Sequence, residues 1–126
     1  KTEANMKEIK RGEIYAVDFG AGFGSEQGGT RPSLILQNDI GNRHSPTTIV
    51  AAITGRKTKA ALPTHVAIMT SGLKTESTVL LEQIRTIDKA RLGEYIGRLD
   101  SKTLAAVDRA IVVSLGIKYL EGLLNG

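Results

Sequence analysis

The chain contains no cysteine. Disulfides, thiolate metal sites and thiol nucleophiles are therefore excluded, and the composition fits a reducing cytoplasm. No apolar run is long enough to span a bilayer: even Ile49 to Ile53 is far too short, and the basic start (Lys1, Lys7, Lys10, Arg11) lacks the apolar segment of a signal peptide. A soluble, cytoplasmic protein with no membrane contact is expected. Metal-site patterns are missing as well. There is no HExxH, no DxD-like cluster and no Cys/His spacing, and Asp39, Asp88 and Asp100 are scattered among turns and caps. Neither a metal nor another cofactor is expected. Internal repeats, low-complexity tracts and linkers are also absent, so 126 residues read as one domain with a real core.

What is present is a mild positive charge. A net charge of +4 and a pI near 9.5 favour an anionic partner, because a positive surface concentrates a polyanion around itself. The cations fall mostly at the edges of apolar segments, where loops project them: Lys10, Arg11, Arg31, Arg43, Arg56, Lys57, Lys59 and Arg85.

Short runs rich in β-branched residues predict strands over Ile14 to Phe19, Ser33 to Gln37, Thr47 to Thr54, Thr64 to Met69, Thr78 to Ile84 and Tyr95 to Leu99. Turn-forming stretches separate them, including "NDIGNRHSP", "GRKTKAALP" and "TSGLKTES", and the pattern suggests a small curled antiparallel sheet. "DKARLGEY" reads as a brief helix, limited by Gly93. A longer helix starts at a cap on Asp100 or Ser101, carries Leu104, Val107, Ile111 and Leu115 on one stripe, and closes at Gly116. A second helical piece is expected through Tyr119, Leu120, Leu123 and Leu124. The expected organisation is an extension or expression remnant over 1–8, a domain over 9–116, and a tail, helical in part, over 117–126.

The loop "GSEQGGTRP", Gly24 to Pro32, is the most unusual stretch. As a phosphate cradle it fails two templates. Gly24 and Gly29 have P-loop separation, but Thr30 and Arg31 replace the Lys and Ser/Thr that reach phosphate and Mg²⁺; Ser25 stands where the dinucleotide pattern needs glycine. The loop is then either a plain hairpin connection or a mobile segment offering Ser25, Glu26 and Gln27 as hydrogen-bonding groups. Pro32 biases Arg31 toward an extended conformation, so its guanidinium is aimed, at a phosphodiester or at Asp18 or Glu26. Thr54 ends the run "TTIVAAIT" just before Gly55, where a hydroxyl can meet a phosphate oxygen. His44 in a polar turn and His65 at a strand start read better as surface or edge histidines than as an acid–base pair. In "LLEQIRTID", alternation places Glu82 on the face opposite Gln83 and Arg85, leaving one face polar enough for a groove or merely solvated.

In order along the chain, "KRGEIYAVDF", "GSEQGGTRPSLILQND", "NRHSPTTIVAAIT", "LPTHVAI" and "VLLEQIRTIDKARL" resemble the MazF/PemK family of bacterial toxins, sequence-specific endoribonucleases known as mRNA interferases. The resemblance runs from about Lys10 to Leu115, and "SEQGGTRP" and "LLEQIRTIDK" are its most specific parts. It implies an α+β, mainly β fold: a small SH3-like β-barrel of plasmid-toxin type with peripheral and C-terminal helices, acting as a homodimer. It implies metal-independent cleavage of single-stranded mRNA by 2′-OH attack, in some members at U-A-C-A-U. The catalytic arginine and threonine of the family correspond to Arg31 and Thr54. Lys10, Ser25, Glu26, Gln27, Arg56, Lys57, Lys59, Leu62, Pro63, His65, Gln83 and Arg85 are then the expected RNA-binding residues. The expected partners are RNA, an acidic antitoxin of MazE type and a second copy of the chain, with DNA reached only through the antitoxin complex. "GAGFG" ahead of "SEQ" and the tail from Ile117 to Gly126 depart from the family pattern.

A second reading is a binding module, the same barrel engaging a protein without cutting RNA, as the gyrase-poison relative of this fold does. Arg31 and Thr54, both intact, argue for the enzyme. A third is a structural part in transcriptional autoregulation with the antitoxin.

Overall fold

The computed structural model describes residues 8–55, 62–70 and 72–118. Six strands form one antiparallel sheet in the order β4-β5-β3-β2-β1-β6: β1 (Glu13–Asp18), β2 (Thr30–Ile35), β3 (Thr47–Thr54), β4 (His65–Ile68), β5 (Ser77–Asp88) and β6 (Leu92–Arg98). Two helices accompany it, α1 (Asp39–His44) and α2 (Ser101–Leu115).

Alternation along the strands sends apolar side chains to both faces. Ile14, Leu34, Ala51, Ile53, Val79 and Leu81 face α2, which contributes Val107 and Ala110 to that core. Tyr15, Val17, Phe19, Ile35, Val50 and Ala52 face the other way and pack with Ile87 and Leu92. Among the described residues no helix adds a side chain to this second core. Bending of the sheet covers it instead. The bend has a visible source in β5, where four residues, Leu80 to Gln83, oppose the single Ala52 between the pairs Ile53↔Val79 and Ala51↔Ile84. Extra residues on one strand bend and twist it. A further pair of register shifts lies between β1 and β6.

Helix α2 obeys its expected signals. Asp100 caps it by accepting from the Thr103 N–H at 2.7 Å, and Gly116 ends it in the left-handed region at φ 67°. Leu115 is not part of the buried stripe. It is 62% exposed, because the core-facing turn ends at Ala110 and Ile111.

Two expectations for connecting segments need correction. "NDIGNRHSP" is not a turn but holds α1: Asn38 caps it through a 2.8 Å bond from the Gly41 N–H, and the Ser45 N–H closes it on the Gly41 carbonyl ahead of Pro46. His44 is therefore the last helical residue. "DKARLGEY" is not a helix beyond the three-residue 3-10 turn Lys89–Arg91, capped by Asp88; pairing with β1 draws Leu92 onward into β6. The expected second helical piece over 119–124 lies outside the described residues, as do residues 1–7. Among those described, no helix is long and apolar enough to cross a membrane.

Candidate active site

The β1–β2 loop is closed at its neck by two backbone bonds, Phe19 N–H to the Gly29 carbonyl at 3.0 Å and Gly29 N–H to the Gly20 carbonyl at 2.7 Å. Within it the two arms touch. A Cβ on Gly22 would stand 2.5 Å from the Glu26 carbonyl oxygen, and one on Gly28 2.4 Å from the Gly22 nitrogen, so neither position admits a side chain without moving backbone. Glu26 and Phe23 exchange bonds across the tip: the Phe23 N–H donates to the Glu26 carboxylate at 3.3 Å and the Glu26 N–H to the Phe23 carbonyl at 3.0 Å.

Arg31 lies one residue into β2, half-buried, opposite Val17 of β1. Its Nε donates to the Gly28 carbonyl at 3.1 Å, and among the described residues its terminal nitrogens have neither a hydrogen bond nor an ion pair. Neither sequence-level pairing forms. Asp18 instead accepts from the Gly20 N–H at 2.9 Å, and Glu26 is held by Phe23. The fork of Arg31 is thus anchored at one nitrogen with the others available to an oxyanion.

Pro32 explains what happens beside it. Leu36 N–H bonds the Ile49 carbonyl of β3, and Leu34 pairs with Ala51, so even-numbered residues of β2 turn their backbone groups toward β3. Pro32 is next in that series and has no N–H to give. The β2–β3 pairing stops at Ser33↔Ala52, while the β1 side continues through Pro32↔Ala16 to Asp18↔Thr30. Continued two residues past Ser33↔Ala52, the β2–β3 register sets Thr54 across from Arg31. Both continue the face of Ser33 and Ala52, the face of the second core.

On the same face a cavity of about 550 Å³ opens between the loop and β5. Ser25, Glu26 and Gln27 line it from the loop; Glu82, Gln83 and Arg85 line it from β5. Its apolar floor is Phe19 and Ala52, and Ile84, which packs against the first core, borders it between Gln83 and Arg85. Glu82 and Gln83 both face it, contrary to simple alternation, because the extra residues opposite Ala52 shift the side-chain parity of β5 between its two halves. Two contacts tie the loop to β5. Gln83 Nε2 donates to the Ser25 carbonyl at 3.4 Å, and the Arg85 guanidinium carbon sits over the Phe19 ring, 5.0 Å from its centre.

His65 opens the edge strand β4, and its Nε2 meets the Glu82 carboxylate at 3.0 Å; the other oxygen of that carboxylate accepts from the Thr64 hydroxyl, also at 3.0 Å. Burial alone would raise the Glu82 carboxyl, but hydrogen bonds from His65, the backbone and Thr64 outweigh it and hold it below its ordinary range. His65 Nδ1 is buried with no partner among the described residues.

The fold therefore gathers Ser25, Glu26, Gln27, Gln83 and Arg85 around one cavity, with His65 attached through Glu82; Arg31 and Thr54 are not among the residues that line it but continue the sheet face of Ala52, which does. Leu62 and Pro63 are exposed just ahead of β4. Lys10 is not brought to this site. It lies before β1, at the end of that strand opposite the loop, where its N–H bonds Glu13 and its ammonium stands 3.9 Å from Glu8. Arg56, Lys57 and Lys59 lie outside the described residues. Sequence reasoning missed Phe19 as the ring beneath Arg85 and Glu82 as the acceptor for both Thr64 and His65. Phe19 reads locally as the last apolar residue of a strand, and no nearby residue signals its distant partner. Among the described residues, no group of three or more His, Cys, Asp or Glu is placed to hold a metal ion.

Residues 10–115 match the PemK-like, MazF-like toxins of type II toxin-antitoxin systems. The chain is 54% identical over 111 residues to the Bacillus subtilis endoribonuclease EndoA, covering 86% of this chain and 96% of that protein. It is 53% identical over 115 residues to the endoribonuclease MazF of Staphylococcus saprophyticus, covering 90% and 96%. Among solved structures, a mycobacterial endoribonuclease in complex with its cognate antitoxin superposes with a TM-score of 0.73 at 30% identity, covering 87% of this chain and 97% of that one. The matched span includes every strand, both helices, the glycine loop and the Arg31–Thr54 corner, and on that ground the chain belongs to the PemK/MazF family of type II toxins.

Proposed function

We propose that this protein is a toxin endoribonuclease that cuts single-stranded mRNA by attack of a ribose 2′-OH on the adjacent phosphorus. The P–O2′ bond forms, the P–O5′ bond breaks, and protons leave the 2′-oxygen and reach the 5′-oxygen by exchange with water. The upstream product carries a 2′,3′-cyclic phosphate, opening to a 3′-phosphate, and the downstream product a free 5′-OH.

Arg31 neutralises the phosphorane. Its guanidinium titrates too high to be an efficient acid, so its work is electrostatic, through nitrogens left open by the single anchor on Gly28. Thr54 holds a phosphate oxygen or the attacking hydroxyl. The observation that carries this reading is the alignment of Arg31 and Thr54, by the register of their strands, on the sheet face where Ala52 lines a cavity with amide, hydroxyl and carboxylate groups for bases. Ser25, Gln27 and Gln83 contact nucleotides from its walls, with Leu62, Pro63 and His65 alongside; Lys10, Arg56, Lys57 and Lys59 bind the backbone of a longer strand. The attacking group is intramolecular, so no metal is required in this scheme.

The partners in this reading are an antitoxin with an acidic segment, which competes with RNA for the basic surface, and a second copy of the chain. The cytoplasm, where mRNA is, is the site of action. The test is incubation of the purified protein with a long single-stranded RNA in EDTA, followed by mapping of product ends. Cleavage leaving 5′-OH ends is the expected result. Intact RNA, or products with 5′-phosphates, overturns the mechanism.

A further inference from the structure

We infer that Phe19 is a positioning residue for Arg85, and that the guanidinium so held is a stacking surface for one nucleobase of the RNA strand. The inference rests on the reading of the cavity as an RNA site.

Phe19 is 4% exposed and locked from two sides, by its place in the second core and by the bond of its N–H to Gly29. Its ring is therefore a fixed object. Arg85 comes from β5 and is exposed, yet its guanidinium lies over that ring. A cation over an aromatic face is attracted by the ring quadrupole, modestly at an exposed site, which biases an otherwise mobile side chain toward that position. Phe19 and Arg85 both line the cavity, so in this inference the guanidinium held over the ring offers its remaining face to a ligand there. Arginine planes are established stacking partners for unpaired bases.

The surroundings select a base over a phosphate. Arg85 is the only cation lining the cavity among the described residues, whereas Glu26 and Glu82 both line it. Glu82 is held ionised by His65 and Thr64. A phosphodiester entering there meets two carboxylates for one guanidinium; an uncharged base meets an apolar floor and a flat cation. The volume of about 550 Å³ accommodates a base with its sugar.

The test measures binding, so that its failure is distinct from failure of the cleavage reading. A short single-stranded RNA is selected from a random pool for binding to the Arg31→Ala protein. Single abasic replacements along it are then titrated by fluorescence anisotropy. One position is expected where loss of the base weakens binding by about 5- to 100-fold, the range of one stacked base. Arg85→Ala should abolish the penalty at that position alone. Arg85→Lys should also abolish it while leaving the salt dependence unchanged, because charge is kept and the plane is lost. Phe19→Leu should reduce the penalty and Phe19→Tyr should retain it, each after circular dichroism shows a folded protein. A merely structural role for Phe19 would weaken binding at every position equally. An abasic penalty unchanged in Arg85→Ala, a salt slope lowered by about one in that variant as for a lost phosphate contact, or no RNA binding at all overturns the inference. Cleavage failing while the position-specific penalty persists overturns the catalytic reading alone.

Discussion

Arg31 and Thr54 stand at the same register position of neighbouring strands, two residues past Ser33↔Ala52, the last pair that β2 and β3 form. The ladder ends there because Pro32 is the residue whose N–H would have extended it. A corner where pairing stops while two polar side chains share a face is a place where a ligand can enter a sheet.

Arg31→Ala should lower the cleavage rate by at least on the order of 10²-fold, the scale of losing one transition-state donor. Arg31→Lys should not restore it, since an ammonium cannot both reach the Gly28 carbonyl and present a fork. Thr54→Ala should be comparably impaired. His65→Ala should lose less, because its visible partner is Glu82 and its other nitrogen is buried. Single-turnover kinetics on one RNA compares all four.

Asn42→Ala should destabilise the fold by about 1–3 kcal/mol, read from urea midpoints at constant slope. Asn42 is 2% exposed, and its amide is fully engaged: Oδ1 accepts from Thr48 at 2.8 Å and Gln37 at 3.1 Å, while Nδ2 donates to the Gln37 carbonyl at 2.8 Å and to Asp39 at 3.3 Å. Truncation strands the buried Thr48 hydroxyl. Asn42→Ala with Thr48→Val should recover part of the loss, because both polar partners are then gone. Cleavage per folded molecule should stay near wild type, as the network lies around α1 and away from the cavity.

Tyr15 should ionise at about 12 rather than 10, chiefly because burial penalises the phenolate, with Glu13 and Tyr95 adding repulsion. The folded state thus favours the neutral phenol. Its contribution is fully present below pH 10 and is lost as pH rises through about 12, a loss on the order of 2–3 kcal/mol. Phenolate absorbance against pH, compared with Tyr15→Phe, checks it: the substituted protein should lack both the late titration and that share of the alkaline loss of stability.

Much of the framework was legible because it is local. β3 has the expected bounds, Thr47–Thr54, since an unbroken run of β-branched and small apolar residues leaves no other reading. α2 is legible through its caps. α1 hid behind residues that favour both turns and helix starts, and only the burial of Asn42 decides between them. β5 runs past Ile84 to Asp88 because β3 pairs with its polar half. Arg31 and Thr54 carried weak signals separately; their alignment depends on register across two strands, which local pattern does not encode. Phe19 and Arg85 meet only through the bend of β5, and so did not read as a pair.

Pro32→Ala should extend the β2–β3 ladder by one bond. The new N–H would face Ile53, the residue in register with position 32, and its carbonyl lies on the side toward which Leu34 and Leu36 already turn. One more backbone bond contributes roughly 0.5–1.5 kcal/mol, and loss of the proline ring costs about 0.4–1 kcal/mol through the unfolded chain, so net stability should change little. Activity should change more. Drawing Arg31 and Thr54 into a bonded ladder narrows the opening at their corner and frees Arg31 from the extended bias that Pro32 imposes. Cleavage should fall several-fold at unchanged urea midpoint, and hydrogen exchange should show a protected amide at position 32. An exposed amide there, with wild-type activity, would mean that the corner is held open by something other than the missing N–H.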